Sequence, residues 1–286
     1  NGGGSLREAI EMGGLFIDAG PIVQVMSKAQ AEPIVYKDHD MKIHYDGPLV
    51  VLINEFSASA SEILAAAIQD YGRGVIVGSK SSFGKGTVQR FFGLDDALPA
   101  EYNHLKPLGA IKITMQKFYQ INGGTTQLKG VTPDIVLPDE FMYIEVGEKE
   151  QDFALEWDEI KAADYIKWKN MPDLAKLKKN SEARVAESEV FKLIEEKAAR
   201  LKKRADETTQ VLILEEYRAE KKKFDEESEK FKAIEKEITL MELTILKEDQ
   251  EKMKDEKVKQ RLEAWHKDVR KDVYIYEALQ IIGDMK

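Results

Sequence analysis

Apolar residues follow two different patterns along this chain, and the change falls near residue 150. In roughly the first 140 residues, short apolar runs alternate with helical periodicity, and glycine and proline separate them. The apolar runs predict strands at Ile22 to Met26, Leu49 to Ile53, Val75 to Val77 and Ile111 to Ile121. The run from Leu49 to Ile53 contains no polar residue, which is typical of a strand buried on both faces.

Two segments of the same region have helical periodicity. Ser5 to Phe16 predicts a first helix. A second helix is predicted between the strands, because apolar residues recur three and four positions apart at Ala60, Ile63, Leu64, Ala67, Ile68 and Tyr71. The alternation of strands and helices predicts an α/β fold for residues 1–150.

The second region, residues 151–286, is predicted to be all-α. From roughly Asp152 onward the chain is rich in Lys, Glu, Ala and Leu, which favour helices. Helices are expected over Glu189 to Arg204 and over Leu212 to Ile238. No strict heptad is sustained, so we expect a helical domain or a packed arm. Three aromatic residues near its start are expected to pack it against another surface, such as the α/β core: Trp157, Tyr165 and Trp168.

Composition narrows the chemistry. The 43 basic and 52 acidic residues give a formal charge of −9, which argues against a broad nucleic-acid surface. The chain has no cysteine, so disulfides, thiolate catalysis and cysteine-ligated metals are excluded, and no cofactor or metal is expected. No run approaches the ~18 apolar residues of a membrane span. The sequence starts at Asn1 rather than at Met, so we expect a fragment of a longer protein.

Ser59 lies between a predicted buried strand and the helix that begins at Ala60. With Glu62 it matches a capping box, and serine is a preferred N-cap residue. Hydrolases also place nucleophilic serines on tight strand-to-helix turns, where free N–H groups can stabilise an oxyanion. The N–H of Ala60 would be a natural donor there. The local sequence alone leaves both interpretations open.

A nucleophilic serine needs a base, and Lys85 is the best candidate. The histidines, which belong to no recognisable triad motif, are His39, His44, His104 and His266. Lys85 lies between Gly84 and Gly86, so the backbone can approach a neighbour closely, and Phe83 offers apolar surface. The segment from Gly78 to Thr87 departs from a phosphate loop at two functional positions, which argues against nucleotide binding.

Several segments stand in order along the chain: Asn1 to Leu6, Phe56 to Ile63, Gln69 to Arg73, Phe83 to Gln89, Gln116 to Tyr119, Asn122 to Gln127 and Lys129 to Ile135. Together they resemble the C-terminal processing peptidases (peptidase family S41), and most closely the tail-specific proteases. The resemblance covers nearly the whole chain, with weaker motifs in the helical region. One departure is a loop between Gly78 and Phe83 that is one residue longer than the family's usual G-x-P-T-F.

The resemblance implies that Ser59 is the nucleophile and Lys85 the general base. Gln89 matches a position that helps to orient the lysine. The oxyanion hole would combine the Ala60 N–H with a glycine N–H from the turn at Gly2 to Gly4, for which Gly3 and Gly4 are the candidates.

Asp70 matches an aspartate that is sometimes included as a third catalytic residue of the family. It follows Ser59 by eleven residues, which is ~16 Å along a continuous helix at ~1.5 Å per residue. A structural role is therefore expected, such as pairing with Arg73 or fixing the end of the helix.

The fold implied by the resemblance is a Clp-protease/crotonase-like α/β core. A PDZ domain that captures substrate tails would precede Asn1, so this chain would lack it and could be inactive alone. The expected partners are proteins or peptides with apolar C-termini, cut in the bacterial periplasm or cell envelope. The helical region could brace the core, form a substrate vault or bind an adaptor protein.

Two other classes of protein stay open. One is a non-catalytic helical scaffold on a degenerate protease core, although Ser59 and Lys85 are both present. The other is a crotonase-like acyl-CoA enzyme, which would share the oxyanion architecture but would usually employ a glutamate as acid and base.

Overall fold

The computed structural model describes residues 1–236, 238 and 241–286. They form two compact units. The first comprises Asn1–Ile76, Lys80–Pro133 and Val146–Pro172. The second comprises Val77–Ser79, Asp134–Glu145 and Asp173–Lys286. The domain boundary between residues 150 and 151 stays a prediction.

The first 140 residues contain both strands and helices, as predicted, but three strands lie between the two α-helices and four follow the second, so strict alternation is not observed. The order is α1 (Leu6–Gly14), β1 (Gly20–Met26), β2 (Ile34–Asp38), β3 (Val50–Ile53), α2 (Ala60–Tyr71), β4 (Val75–Gly78), β5 (Thr87–Gly93), β6 (Ala110–Tyr119) and β7 (Ile135–Val136). Short 3-10 helices lie at Leu94–Ala97, Ala100–Leu105 and Glu148–Glu150.

The first unit contains an antiparallel sheet with the strand order β2, β1, β6, β5. β5 pairs with β6 from Thr87 opposite Lys117 to Gly93 opposite Ala110, with a register shift between Val88 and Gln89. β5 is an edge strand of this sheet, and it begins directly after the loop that carries Lys85.

Helix α2 is buried on two sides. Ile63, Ala67 and Tyr71 pack with residues of β1 in one apolar cluster. Ala65, Ala66 and Ile68 pack with residues of β3 and β4 in another. Complete burial of an aliphatic side chain such as Ile68 contributes about 1.5–3 kcal/mol. This packing fixes the helix whose N-terminus carries Ser59.

One prediction about burial is wrong. β3 lies where the run Leu49 to Ile53 predicts a strand, but Leu52 is 40% exposed. β3 is an edge strand next to β4. The continuous apolar run therefore does not reflect burial on both faces of the strand, since Leu52 is exposed.

The second unit is mainly helical. Its helices are α3 (Leu174–Glu187), α4 (Glu189–Asp206), α5 (Leu214–Ser228), α6 (Lys247–Gln250), α7 (Glu256–Val269) and α8 (Val273–Asp284), with 3-10 helices at Glu229–Glu235 and Lys252–Lys254. In the same unit, the end of β4 pairs in parallel with β7. The overall class, an α/β core followed by a helical C-terminal region, is confirmed.

The helical region begins later than predicted, at Leu174 rather than near Asp152. The intervening segment belongs to the first unit, where Trp157 donates its indole N–H to Thr125 O at 2.9 Å. Tyr165 meets Tyr71 edge to face, with ring centroids 5.4 Å apart. The aromatic residues therefore pack on the α/β core, and their contacts replace the expected helix.

The helix predicted from Leu212 to Ile238 is shorter than expected. α5 ends at Ser228 and a 3-10 helix continues to Glu235. Residue 237 of the predicted helix lies outside the described residues. Across the described part of the chain, no helix combines the length and hydrophobicity that a membrane crossing requires.

Candidate active site

Ser59 occupies a strained position at the start of α2. Its backbone has φ 57° and ψ −115°, which residues other than glycine rarely adopt. Such a conformation costs about 1–3 kcal/mol and persists only where the surroundings impose it. The turn before it is fixed by Asn54, whose N–H donates to Ser57 Oγ at 3.0 Å and whose carbonyl accepts the Ser57 N–H at 2.9 Å.

Gly3 lies directly against this turn. A Cβ added to Gly3 would meet the Ala58 carbonyl oxygen at 2.5 Å and the Ala60 nitrogen at 2.9 Å. Gly3 also has φ +91°. Position 3 therefore requires glycine for two separate reasons. Added Cβ atoms at Gly2 and Gly4 would meet nothing within 4 Å.

The loop of Lys85 is held by one neighbouring segment, residues 126–128. The Gly86 N–H donates to the side-chain oxygen of Gln127 at 2.8 Å, and Thr126 Oγ1 donates to the Lys85 carbonyl at 3.0 Å. The Leu128 N–H donates to the Gly84 carbonyl at 2.8 Å. These bonds fix the backbone on both sides of the half-buried Lys85.

Two sets of hydrogen bonds join the Lys85 loop to the Ser59 turn. The Phe83 N–H donates to the Ser57 carbonyl at 2.9 Å. The Glu62 carboxylate accepts the N–H of Ser59 at 2.7 Å and the N–H of Lys85 at 3.0 Å, both on Oε2. The structure thus brings the two loops together, although they are separated along the chain.

Glu62 was expected only as a partner in helix capping. The Ser59 N–H does donate to its carboxylate, as a capping box requires. Its further bonds to the Lys85 loop could not be predicted, since they join segments about twenty residues apart. The available signal is a glutamate directly before the uninterrupted apolar run from Ile63 to Ile68.

Burial governs the electrostatics of Glu62. Its side chain is fully buried, and burial raises the pKa of its carboxyl to about 7. Hydrogen bonds from Ser82, Gly84, Ser59 and Lys85 oppose this rise, because they favour the ionised form.

No described hydrogen bond joins the Gln89 side chain to the Lys85 loop. Gln89 is exposed, and its side-chain amide donates to Thr114 Oγ1 at 3.4 Å. Its supporting role stays a prediction.

Asp70 sits near the far end of α2, which is continuous from Ala60 to Tyr71. Its carboxylate accepts the side-chain amide of Asn122 at 2.7 Å, and burial raises the pKa of Asp70 to about 6. Arg73 instead donates to the carbonyls of Phe16 at 2.8 Å and Tyr45 at 2.7 Å. Asp70 therefore ties the end of the helix to the loop after β6 rather than to Arg73.

The start of α2 combines a hydroxyl with a helix N-terminus, an arrangement that can serve nucleophilic chemistry. Among the described residues, no group of three or more His, Cys, Asp or Glu is placed to hold a metal ion. Ser59 stands at a helix N-terminus, where the dipole and the free N–H of Ala60 favour a developing negative charge.

Comparisons with known proteins point to one family. The model "Peptidase family S41" matches residues 1–137, and the model "C-terminal domain of tail specific protease" matches residues 141–286. The chain is 48% identical over 171 residues to the tail-specific protease of Haemophilus influenzae, covering 60% of this chain and 24% of that protein.

Two further similarities are more distant. The chain is 36% identical to the carboxy-terminal-processing protease of Bartonella bacilliformis, covering 52% of this chain and 33% of the relative. A solved structure of the photosystem II D1 C-terminal processing protease is 31% identical, with a TM-score of 0.41 over 48% of this chain and 32% of that one. The chain spans about a quarter to a third of the length of these relatives.

Proposed function

Because the chain belongs to the tail-specific proteases of peptidase family S41, we propose that it carries the catalytic residues of a serine endopeptidase, with Ser59 as the nucleophile and Lys85 as the general base. The observation that carries this proposal is the direct bonding of the two loops. The Phe83 N–H reaches the Ser57 carbonyl, and Glu62 accepts N–H groups from both Ser59 and Lys85.

The proposed reaction begins with a proton transfer. The uncharged amine of Lys85 takes the proton from Ser59 Oγ as that oxygen attacks the carbonyl carbon of the scissile peptide bond. The tetrahedral intermediate carries its negative charge on the former carbonyl oxygen. We propose that the N–H groups of Ala60 and Gly3 stabilise that oxygen, which the closeness of Gly3 to Ala60 supports. The Gly3 N–H donates to Asn1 Oδ1 at 3.1 Å, so it would exchange that acceptor for the oxyanion.

Collapse of the intermediate breaks the carbon–nitrogen bond. The Lys85 ammonium returns its proton to the departing amine, and the acyl group stays on Ser59 Oγ. Water then attacks the ester carbonyl carbon while Lys85 accepts a proton from it. The bond between the acyl carbon and Ser59 Oγ breaks, Lys85 returns the proton to Oγ, and the second product leaves as a carboxylic acid. Gly4 remains the alternative donor to the oxyanion, and Gln89 a supporting residue near Lys85.

The substrates we propose are proteins with apolar C-terminal tails, acted on in the periplasm or cell envelope. The name of the Haemophilus influenzae relative, a tail-specific protease, supports recognition of tails. We propose residues 151–286 as a separate helical domain, because the model of the C-terminal domain of tail-specific proteases matches residues 141–286. An adaptor protein is proposed as a partner of this domain.

Covalent labelling tests the pair of catalytic residues. The purified chain is treated with a fluorophosphonate, and the adduct is mapped by mass spectrometry. We expect one adduct, on Ser59, which Ser59→Ala abolishes and Lys85→Ala slows by about 100-fold or more. Lys80→Ala, at an exposed lysine of the same segment, is the matched control and should label like the wild type.

Cleavage of a protein ending in an apolar tail, compared with the same protein ending in a charged tail, tests the proposed substrate class. A wild-type labelling rate in Lys85→Ala would remove the lysine from its role. A folded chain that neither labels nor cleaves would favour the non-catalytic scaffold instead.

A further inference from the structure

Glu62 makes more hydrogen bonds than the capping of one helix requires. Its Oε2 accepts from the N–H of Ser59 at 2.7 Å and of Lys85 at 3.0 Å. Its Oε1 accepts from Ser82 Oγ at 2.6 Å and from the Gly84 N–H at 2.7 Å. Three of these donors belong to the Lys85 loop, so the carboxylate connects that loop to the start of α2.

We propose that Glu62 is a positioning residue that holds the Ser59 turn and the Lys85 loop in the register required for proton transfer. This inference rests on the proposed function. The carboxylate acts through backbone N–H groups, so it orients the two catalytic residues without touching substrate. Because Glu62 is fully buried, no solvent competes for its oxygens.

Only a carboxylate satisfies the donors found here. Both of its oxygens accept, whereas a glutamine offers one accepting oxygen and an NH₂ group that would face N–H donors. In Glu62→Gln, either the Ser59 and Lys85 N–H groups or the Ser82 and Gly84 donors would lose their acceptor. Each buried donor left without a partner costs about 1–3 kcal/mol.

Ser82 extends the connection to a further segment. Its hydroxyl donates to Glu62 and accepts the Val131 N–H at 2.7 Å. Its own N–H donates to the Val131 carbonyl at 3.0 Å. These bonds fix the direction of the hydroxyl, so Glu62 meets a donor that is already oriented.

Few ionisable groups lie around Glu62. Its direct partners are N–H and O–H groups, and Lys85 meets it through the backbone. On the other side of the loop, Glu148 accepts from Gln127 at 3.3 Å and donates its N–H to the Phe83 carbonyl at 2.9 Å. Ionised Glu62 accepts all its donors, whereas the protonated form gives up one accepting position, so positioning requires the ionised form.

The test uses Glu62→Gln in the chain, with Glu8→Gln as a matched control. Glu8 stands at the same place in α1, three residues after the capping residue Ser5, but is exposed. Fluorophosphonate labelling of Ser59 and hydrolysis of a peptide substrate are measured from pH 5 to 9. We expect Glu62→Gln to lower kcat by about 30-fold or more with KM changed less than threefold, and Glu8→Gln to match the wild type.

The pH dependence separates positioning from a purely structural role. On acidification, the labelling rate of the wild type should fall in a step near pH 7, and Glu62→Gln should lack that step. If Glu62→Gln does not fold, Ser82→Ala replaces it, with an expected fall in kcat of about 3- to 10-fold.

Each outcome bears on a distinct claim. A kcat within twofold of the wild type in Glu62→Gln, or in Ser82→Ala where the first variant is unfolded, would overturn the positioning role. An unchanged pH step in Glu62→Gln would do the same. Cleavage that survives in Ser59→Ala would overturn the proposed function itself, whatever Glu62→Gln shows.

Discussion

The backbone N–H of Phe83 donates to the carbonyl oxygen of Ser57 at 2.9 Å, two residues from each proposed catalytic side chain. This bond sets the distance between the Lys85 loop and the Ser59 turn at the backbone level. The Phe83 carbonyl in turn accepts the Glu148 N–H at 2.9 Å. The segment at Gly147 and Glu148 therefore holds the Lys85 loop through the carbonyl group of Phe83.

Gly147→Ala should disturb that support. An added Cβ would meet the Phe83 carbonyl oxygen at 2.5 Å, and the backbone there has φ +125°. We expect labelling of Ser59 to slow by about tenfold, because the loop of Lys85 must shift. Gly283→Ala, where an added Cβ meets nothing within 4 Å, should leave the rate unchanged and stabilise α8 by up to about 1 kcal/mol. Equal rates for both variants would contradict the role of this support.

Gly3→Ala should impair the oxyanion hole. The new Cβ would press on the Ala58 carbonyl and the Ala60 nitrogen, so the N–H groups beside Ser59 would move. We expect kcat for a peptide substrate to fall by about 100-fold, which corresponds to about 3 kcal/mol of lost transition-state stabilisation. Gly4→Ala is the control, since its Cβ would meet nothing within 4 Å. A larger fall in kcat in Gly4→Ala than in Gly3→Ala would show that Gly4, rather than Gly3, donates to the oxyanion.

Asp70→Asn should preserve most of the activity and change how stability depends on pH. Burial raises the pKa of Asp70 to about 6 from an unfolded value of 3.8, so the folded state binds more protons between these values. The associated stability is present below pH 3.8 and is lost as the pH rises through about 6.

Urea unfolding at pH 4 and pH 7 measures this effect. The wild type should lose stability relative to Asp70→Asn between the two pH values, by on the order of 1–3 kcal/mol. The labelling rate of Ser59 should stay within about threefold of the wild type, because Asp70 lies at the far end of α2. A loss of labelling comparable to that of Lys85→Ala would instead make Asp70 catalytic.

Arg184→Ala should destabilise the helical unit. The guanidinium donates to both carboxylate oxygens of the buried Glu277, at 2.7 and 3.1 Å, and to Asp284 at 2.8 Å. Removing it leaves a buried carboxylate without its partner, which costs about 3–5 kcal/mol. Lys192→Ala breaks only an exposed pair with Glu189 and should cost less than about 1 kcal/mol. Hydrogen exchange of α3 and α8, measured as the temperature rises, compares the stability of the Arg184→Ala and Lys192→Ala variants.

The periodic parts of the chain could be predicted from sequence because local chemistry decides them. α2 begins at Ala60 and ends at Tyr71 as its apolar stripe indicates, and Gly72 closes it in the left-handed conformation that glycine adopts freely. The family match at residues 1–137 likewise agrees with the expected Clp-protease/crotonase-like core.

The rest depends on contacts between distant segments. Nothing near Asp152 in the sequence shows that Trp157 will bond to Thr125, so the segment was assigned to the helical region. The sequence does not predict the convergence of Gln127 and Glu62 on the Lys85 loop for the same reason, since side chains of these types usually face solvent. The candidate residues could be named, but the connections that hold them could not.

The backbone at Ser59 also has an evolutionary consequence. Its φ of 57° and ψ of −115° suit glycine, which has no Cβ to clash, better than serine or alanine. Selection for thermal robustness alone would favour glycine at this position and would discard the hydroxyl. A serine retained there across natural variants would therefore indicate that catalysis is still under selection. A glycine there would indicate a protein that has lost its catalytic activity.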